Sequence, residues 1–149
     1  DQKLIILGDG PERGKVEEIV KDASNITLMG AQGDAVLTEM MQKARAFVFA
    51  AEEDFGIMPV EAQACGTPVI AFKAGGALET VIDVRDDSAR GTGMFFDAQT
   101  PDAIQAAVRD FIVDEGRILA ESCSANAQRF SREDFRRSIS EAVERVQNL

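Results

Sequence analysis

Two glutamates in the stretch EEDFGIMPVEAQACGTPVIAF have a type and spacing that could serve chemistry. Glu53 and Glu61 are separated by seven residues, which include a glycine and a proline. Glu61 interrupts an apolar stretch, and a buried or half-buried carboxylate is costly unless it has a partner. The sequence therefore predicts that Glu61 faces a crevice, where the vicinal hydroxyls of a ribose would be suitable bidentate donors.

The residues between the two glutamates predict an anion-binding site. Phe55, Gly56 and Ile57 lead into a predicted helix over 59–64, and the free NH groups of a helix N terminus attract phosphate. A pair of solvated surface charges is the simpler alternative. A hydrolase acid and nucleophile pair is disfavoured, because such a pair must flank one glycosidic bond with opposed pKa values.

Two glycine-containing turns are further candidates for anion binding. GDGPER, at 8–13, follows a predicted strand and opens a helix, but Arg13 stands where a dinucleotide-binding GxGxxG motif needs its third glycine. Lys73, Gly75 and Gly76 follow another strand and could present NH groups to an anion. A plain tight turn at the first and a glycine required for positive φ at the second are equally good interpretations.

No metal site is expected. The loop DVRDDS carries Asp83, Asp86 and Asp87, but its spacing supplies neither ordered ligands nor the sharp central glycine of a calcium loop, which favours a solvated loop. The chain has no histidine, which removes the commonest general base and most catalytic zinc sites. Cys65 and Cys123 belong to no CxxC pattern.

Composition narrows the classes of partner. The chain has 149 residues and a net charge of −10, from 26 acidic and 16 basic residues. Such a chain is not expected to bind nucleic acid, whose phosphate backbone needs a basic surface. No apolar run approaches the roughly 18 residues that a membrane span requires, so no transmembrane segment is expected.

Short apolar runs alternate with helical patterns along the chain. The strands expected from these runs cover residues 3–7, 26–29, 46–50, 68–72 and 93–96. Alternation of this kind predicts a doubly wound α/β fold, in which a parallel sheet carries helices on both faces. Ligands of such folds bind beyond the carboxyl ends of the strands, which directs attention to the loops 8–11, 30–34, 51–58 and 73–77.

Two apolar stripes at helical spacing are expected to belong to the core. The first runs over 104–112 and the second over 135–146, where Ser131 and Asp134 would begin the last helix in the manner of a capping box. A helix over 34–44 and a short helix within 74–82 complete the prediction.

The motifs together resemble the C-terminal, donor-binding domain of GT-B fold glycosyltransferases, specifically the retaining enzymes of glycosyltransferase family 4. The E-x7-E motif of that family matches Glu53 to Glu61 and continues through AQACGTPVIA. ILGDGPER matches the family's strand and turn, Gly75, Gly76 and Glu79 match its GG-x-x-E, and RFS at 129–131 matches its closing motif. The resemblance covers nearly all of residues 1–149.

The resemblance implies roles for particular residues. It assigns Glu61 to the ribose hydroxyls of a nucleotide sugar. It assigns Glu53 to a place near the transferred sugar, as the catalytic residue of this domain. The other donor-binding positions that it implies are Phe55, Gly56 and Ile57 at the sugar and diphosphate, Gly30, Ala31 and Gln32 at the base, and Gly8, Asp9 and Gly10 along the crevice. Asp54 departs from the family, which usually has glycine there.

The same resemblance implies an activity, which is transfer of a sugar from a nucleotide diphosphate sugar to an acceptor hydroxyl with retention at the anomeric carbon. The residues of the motif are most similar to those of mannosyltransferases of surface-polysaccharide and lipid-linked glycan assembly. This similarity favours GDP-mannose as the donor but leaves the base and the sugar open. The donor is a substrate, and no cofactor is implied. The expected location is cytoplasmic, with peripheral attachment of the full-length enzyme at the inner membrane face left open.

The resemblance also implies that part of the enzyme lies outside this chain. The family's diphosphate-binding arginine and lysine, and the acceptor-binding N-terminal domain, precede the strand at 3–7. Residues 1–149 are therefore expected to be a donor domain truncated at its N terminus, inactive by itself, with the glycan or lipid-linked acceptor held by the missing domain.

Three other interpretations stay open at the level of sequence. A receiver-like signalling module would use Asp9 and Asp54 as acidic-pocket residues and Lys73 as its cation. The others are a nucleotide-binding domain without catalytic activity and an epimerase with the GT-B fold.

Overall fold

A computed structural model describes residues 2–147 and shows parallel strands flanked by helices. The strands are β1 (Leu4–Leu7), β2 (Ile26–Gly30), β3 (Phe47–Phe49), β4 (Val69–Phe72) and β5 (Gly93–Phe96). The helices are α1 (Arg13–Val20), α2 (Asp34–Lys43), α3 (Ile57–Ala64), α4 (Ala77–Thr80), α5 (Pro101–Asp114), α6 (Ala120–Gln128) and α7 (Arg132–Gln147), with a 3-10 turn at Glu115–Arg117.

The chain divides into two compact units at Met40 and Met41. The first unit is built on the parallel pair β1 and β2, in which Leu4 is in register with Ile26 and the register shifts between Ile6 and Leu7. Its strands are mostly half-buried, and α1 has no buried residue. This unit therefore has little core of its own.

The second unit contains the core, built around the parallel sheet β3-β4-β5. All four residues of β5 are buried, as are the first three of β4, so both strands are continuous apolar runs of the kind found in covered parallel sheets. Helix α5 begins with Thr100, whose hydroxyl accepts from the NH of Ala103, and with Pro101 in its first turn. Its buried residues, Ala107 and Phe111, join the core cluster that contains Ile70, Met94 and Phe96.

The structure confirms the α/β class, and the five strands lie where the sequence placed them to within one or two residues at each end. The strands form two parallel sheets, one in each unit. Helix α6 was not expected, because its sequence AESCSANAQ has no large apolar stripe. It is nevertheless buried at Cys123, Asn126 and Ala127.

The prediction that the stripe over 135–146 belongs to the core is wrong. Phe135, Ile139, Val143 and Val146 are between 50% and 71% exposed, and α7 has no buried residue. Spacing at 3.6 residues shows that a helix has a face suited to burial, but it does not say whether a neighbouring element covers that face. The stripe at 104–112 is confirmed at Ala107 and Phe111, whereas Ile112 is 37% exposed.

Asp83 anchors the loop before β5, and the expectation of a wholly solvated loop is wrong for this residue. Its buried carboxylate accepts hydrogen bonds from the backbone NH groups of Arg85 and Phe95 and from the Arg85 guanidinium. Burial acts to raise the pKa of Asp83, but these hydrogen bonds and the Arg85 charge outweigh burial and hold the pKa below its ordinary value of 3.8. The charged carboxylate is therefore part of the folded structure.

We expect Asp83→Asn to lower the free energy of unfolding at pH 7 by about 2 kcal/mol, because charge-assisted hydrogen bonds are lost. A carboxyl with a lowered folded-state pKa stabilises the fold above its unfolded pKa and loses that effect as pH falls through the folded pKa. The difference in free energy of unfolding between wild type and Asp83→Asn should therefore be largest at pH 7 and become smaller below about pH 4. Urea unfolding at pH 7, 5 and 3 measures it.

The control is Asp86→Asn, an exposed carboxylate of the same loop. It should change stability by no more than about 0.5 kcal/mol at any of these pH values. A difference for Asp83→Asn that stayed constant from pH 7 to pH 3 would show that the carboxylate charge does not stabilise the loop.

Two absences hold for residues 2–147. No helix among them has the length and hydropathy to cross a bilayer. Within the same range no three histidine, cysteine, aspartate or glutamate side chains form a group that could hold a metal ion.

Candidate functional site

Helix α3 carries the second glutamate of the motif on its exposed side. Ile57 and Glu61 lie four residues apart, so they share one face of the helix, and both are exposed. The expectation that Glu61 is buried or half-buried is wrong. It was argued from the apolar neighbours of Glu61, but those neighbours occupy the other face, where Ala62 and Gln63 are completely buried. Within the described range the Glu61 carboxylate makes no hydrogen bond or ion pair.

The N terminus of α3 is open. The buried Gly56 precedes it in the left-handed conformation, with φ 75°, and no side chain of residues 2–147 caps the helix. Pro59, at the third position of the helix, has no NH, so the free donors of this end are concentrated at Gly56, Ile57 and Met58. Phe55 and Ile57 are 46% and 61% exposed. Met58 is half-buried, so Ile57 is the donor residue of this end that lies on the exposed face with Glu61.

The turn before α4 is fixed against the backbone of the first glutamate. The NH of Gly76 donates to the carbonyl of Glu53 at 2.8 Å. A Cβ on Gly75 would lie 2.3 Å from the Glu53 carbonyl oxygen, and a Cβ on Gly76 would lie 2.3 Å from that of Phe55. Gly75 also has a positive φ of 55°. The glycines are therefore required by this close approach and by backbone conformation, while Lys73 is exposed beside them.

A network of buried side-chain amides lies behind α3. Gln63 donates to the carbonyls of Pro59 and Thr80, at 3.0 and 2.8 Å. Asn126 donates to the side-chain oxygen of Gln63 at 2.7 Å and to the Thr80 carbonyl at 2.8 Å. Arg129 in turn donates to the side-chain oxygen of Asn126 at 2.7 Å. The network connects α3, α4 and α6.

Sequence reasoning missed this network. Gln63 interrupts the apolar stretch VEAQACG just as Glu61 does, and a polar residue there signals either a ligand or a buried hydrogen bond. Asn126 lies in a segment of small residues without periodicity, which gives no signal of burial. The sequence singled out Phe130 only as part of the RFS motif. Its ring makes an edge-to-face contact with that of Phe55, with 5.7 Å between the ring centroids.

The first unit contains a pocket of about 310 Å³ at the carboxyl end of β1. Gly8, Asp9, Gly10 and Gly30 line it. Arg13 also borders the pocket, with Nε 2.7 Å from the Glu17 carboxylate and Nη1 3.3 Å from that of Asp9.

The expected positions 31 and 32 follow β2 in the same unit. Ala31 and Gln32 are exposed, and the Gln32 amide donates to the Met29 carbonyl at 2.6 Å. The first unit thus brings residues 8–10 together with Gly30. The second unit positions Glu53, Phe55, Gly56, Ile57 and Glu61, with the Glu53 side chain exposed.

Comparison with known proteins identifies the family. The family described as glycosyl transferases group 1 matches residues 1–130. This chain belongs to that family. The group 1 glycosyl transferase match includes every candidate site residue named above.

The names of the curated relatives of this chain give different substrates. It is 34% identical over 139 residues to a D-inositol 3-phosphate glycosyltransferase of Segniliparus rotundus, with 87% of this chain and 30% of the relative covered. It is 33% identical over 137 residues to a GDP-mannose-dependent alpha-(1-6)-phosphatidylinositol monomannoside mannosyltransferase of Mycolicibacterium smegmatis, with 80% and 33% covered. The chain thus spans about a third of the length of these relatives.

A solved structure gives the same fold. Anabaena HepE in complex with UDP superposes with a TM-score of 0.73 and 25% sequence identity, covering 96% of this chain and 41% of HepE. The chain therefore has the α/β fold of a GT-B glycosyltransferase domain, as the resemblance implied.

Proposed function

We propose that residues 1–149 form the donor-binding domain of a retaining glycosyltransferase, which moves a sugar from a nucleotide diphosphate sugar to an acceptor hydroxyl. The observation that carries the proposal is the arrangement of α3. Its first residue, Ile57, and Glu61 lie on one exposed face, and among residues 2–147 no side chain caps the helix or pairs with the Glu61 carboxylate. A nucleotide diphosphate sugar offers the complementary groups, which are an anionic diphosphate and a pair of ribose hydroxyls.

In this proposal the diphosphate lies against the NH groups at the start of α3. Negative charge builds on the departing nucleoside diphosphate as the glycosidic bond to it breaks, and fixed NH dipoles stabilise that charge without reorganising. Glu61 accepts hydrogen bonds from the ribose hydroxyls and so orients the nucleotide. Glu53, whose backbone is fixed by Gly76, lies near the transferred sugar.

The other positions that the resemblance assigns to the donor belong to the first unit. Gly8, Asp9, Gly10 and Gly30 line its pocket, and Ala31 and Gln32 follow β2. GDP-mannose is the donor that we favour, because a relative is named as GDP-mannose-dependent. UDP is the nucleotide in the HepE structure, so the identity of the donor's base must be measured. The acceptor would be a glycan or a lipid-linked glycan held by a further domain.

We expect the 149-residue chain to bind one of GDP, UDP and ADP with weak affinity, on the order of 0.1 to 1 mM, since only a few hydrogen bonds to exposed groups supply the free energy. Calorimetric titration, or NMR shifts of the Gly56 and Ile57 amides, measures this. GDP should bind most tightly if the donor is GDP-mannose.

The same chain should transfer no sugar from GDP-mannose to a glycan acceptor. A full-length enzyme that bound the nucleotide but transferred nothing would make this a nucleotide-binding domain without catalytic activity. Failure of all three nucleotides to bind, or transfer by the 149 residues alone, would contradict the proposal.

A further inference from the structure

Helix α6 runs along α3 and contacts it at three levels. At the carboxyl end of α3, a Cβ on Gly66 would lie 3.2 Å from the Ala120 Cβ, at the start of α6. Gln63 and Asn126 join the two helices in the middle. At the other end, Phe55 meets the ring of Phe130, just past α6. The order of these contacts shows that the helices are antiparallel, so the end of α6 lies beside the open N terminus of α3.

The middle contact fixes the register of the two helices. Both NH bonds and the oxygen of the Gln63 amide are used, and the same is true of Asn126, whose oxygen accepts from Arg129. Sliding or rotating α3 against α6 would break several of these hydrogen bonds in a buried place, where an unpaired amide is costly. No buried side-chain polar atom among the described residues lacks a partner.

The end contact fixes the segment that enters α3. Phe55 is 46% exposed, and its ring contacts the half-buried Phe130 edge to face. The Arg129 guanidinium lies 5.3 Å from the centroid of the Phe130 ring and also holds Asn126. The adjacent residues Arg129 and Phe130 therefore link the aromatic contact to the amide network.

We propose that Asn126 and Phe130 are positioning residues of the donor site, because they place α3 and the Phe55 segment through Gln63 and the Phe55 ring. This inference rests on the proposed function. NH dipoles and a carboxylate bind a ligand well only when they are held within a fraction of an ångström of the required place. In this proposal neither residue touches the donor, and Asn126 is buried behind α3. Their effect is on the placement of the groups that do.

Phe130→Leu is the first test, because it keeps an apolar side chain and removes the aromatic pair. The variant should bind the preferred nucleotide of GDP, UDP and ADP roughly threefold to tenfold more weakly at 10 °C, while the protein is still fully folded. Phe130→Tyr keeps the ring and should bind as wild type does. Phe135→Leu, which changes an exposed phenylalanine on α7, is the matched control and should also bind as wild type does.

A double variant shows whether Phe130 acts through Phe55. If it does, Phe55→Leu and Phe55→Leu/Phe130→Leu should have equal affinity, because the second change removes a contact already lost. A merely structural role would lower the melting temperature of Phe130→Leu and leave its affinity unchanged, which would overturn the inference. Additive losses in the double variant would overturn it as well.

Asn126→Asp tests the amide network with a nearly isosteric change. The new carboxylate oxygen would face the Gln63 oxygen and the Thr80 carbonyl, so the two hydrogen bonds become repulsive contacts and affinity should fall at least tenfold. If this variant does not fold, Phe130→Leu decides the question. Wild-type affinity in folded Asn126→Asp would overturn the inference.

Failure of the inference and failure of the proposed function give different results. If wild type binds no nucleotide, the proposed function fails, and the inference fails with it. If Glu61→Ala weakens binding but Phe130→Leu and Asn126→Asp do not, the proposed function stands and the positioning inference alone is wrong.

Discussion

Gly76→Ala should lower the free energy of unfolding by about 3 kcal/mol, because it forces two backbone segments apart. The new Cβ would lie 2.3 Å from the Phe55 carbonyl oxygen and 2.5 Å from the Phe55 Cα, far inside van der Waals contact. Gly76 has φ −64° and ψ −16°, a conformation that alanine adopts easily, so the expected cost is steric rather than conformational. The midpoint of urea unfolding, at unchanged slope, measures it.

Gly116→Ala is the control, because a Cβ at Gly116 meets nothing within 4 Å. It should change stability by no more than about 0.5 kcal/mol in either direction. If the two variants unfolded at the same urea concentration, the close approach of the Gly75–Gly76 turn to the Glu53–Phe55 backbone would be refuted. A folded Gly76→Ala protein should also bind nucleotide less well than wild type, since the displaced Phe55 segment leads into α3.

The fold could be predicted where local signals and burial agree. The run GMFF at β5 is apolar throughout and fully buried, and its predicted bounds coincide with the observed ones. Helix α5 (Pro101–Asp114) contains the apolar stripe that the sequence predicted over 104–112, and Ala107 and Phe111 of that stripe are buried. The prediction failed where burial depends on a neighbour that periodicity does not reveal. Helix α7 has a clear apolar stripe that lies exposed, and α6 has no such stripe and is buried.

For the site, too, some features could be predicted from the sequence and others could not. The helix that carries Glu61 followed from the sequence. It was predicted over 59–64 and spans Ile57–Ala64, so its end, marked by the glycine at 66, was correct and its start lies two residues earlier. Exposure of Glu61 did not follow, because an apolar neighbourhood in sequence was taken for an apolar surrounding in space. The amide pair of Gln63 and Asn126 joins residues far apart in the chain, and no local pattern shows that two such amides meet.

The largest effect on binding is expected at Glu61. Glu61→Ala should weaken nucleotide affinity about 30-fold, which corresponds to about 2 kcal/mol for charge-assisted hydrogen bonds to the ribose hydroxyls. Glu61 is exposed and within the described residues makes no side-chain hydrogen bond or ion pair, and alanine favours helix, so stability should change little. Glu121→Ala makes the same charge change at an exposed position of α6 and should leave affinity unchanged.

The most direct test of the account compares a nucleoside diphosphate with its 2′,3′-dideoxy form, titrated into wild type and Glu61→Ala. Wild type should prefer the ribose form about 30-fold, and Glu61→Ala should bind the two forms almost equally, since the residue that reads the hydroxyls is gone. Glu61→Ala that kept the full preference for ribose, or wild type that showed none, would contradict the account.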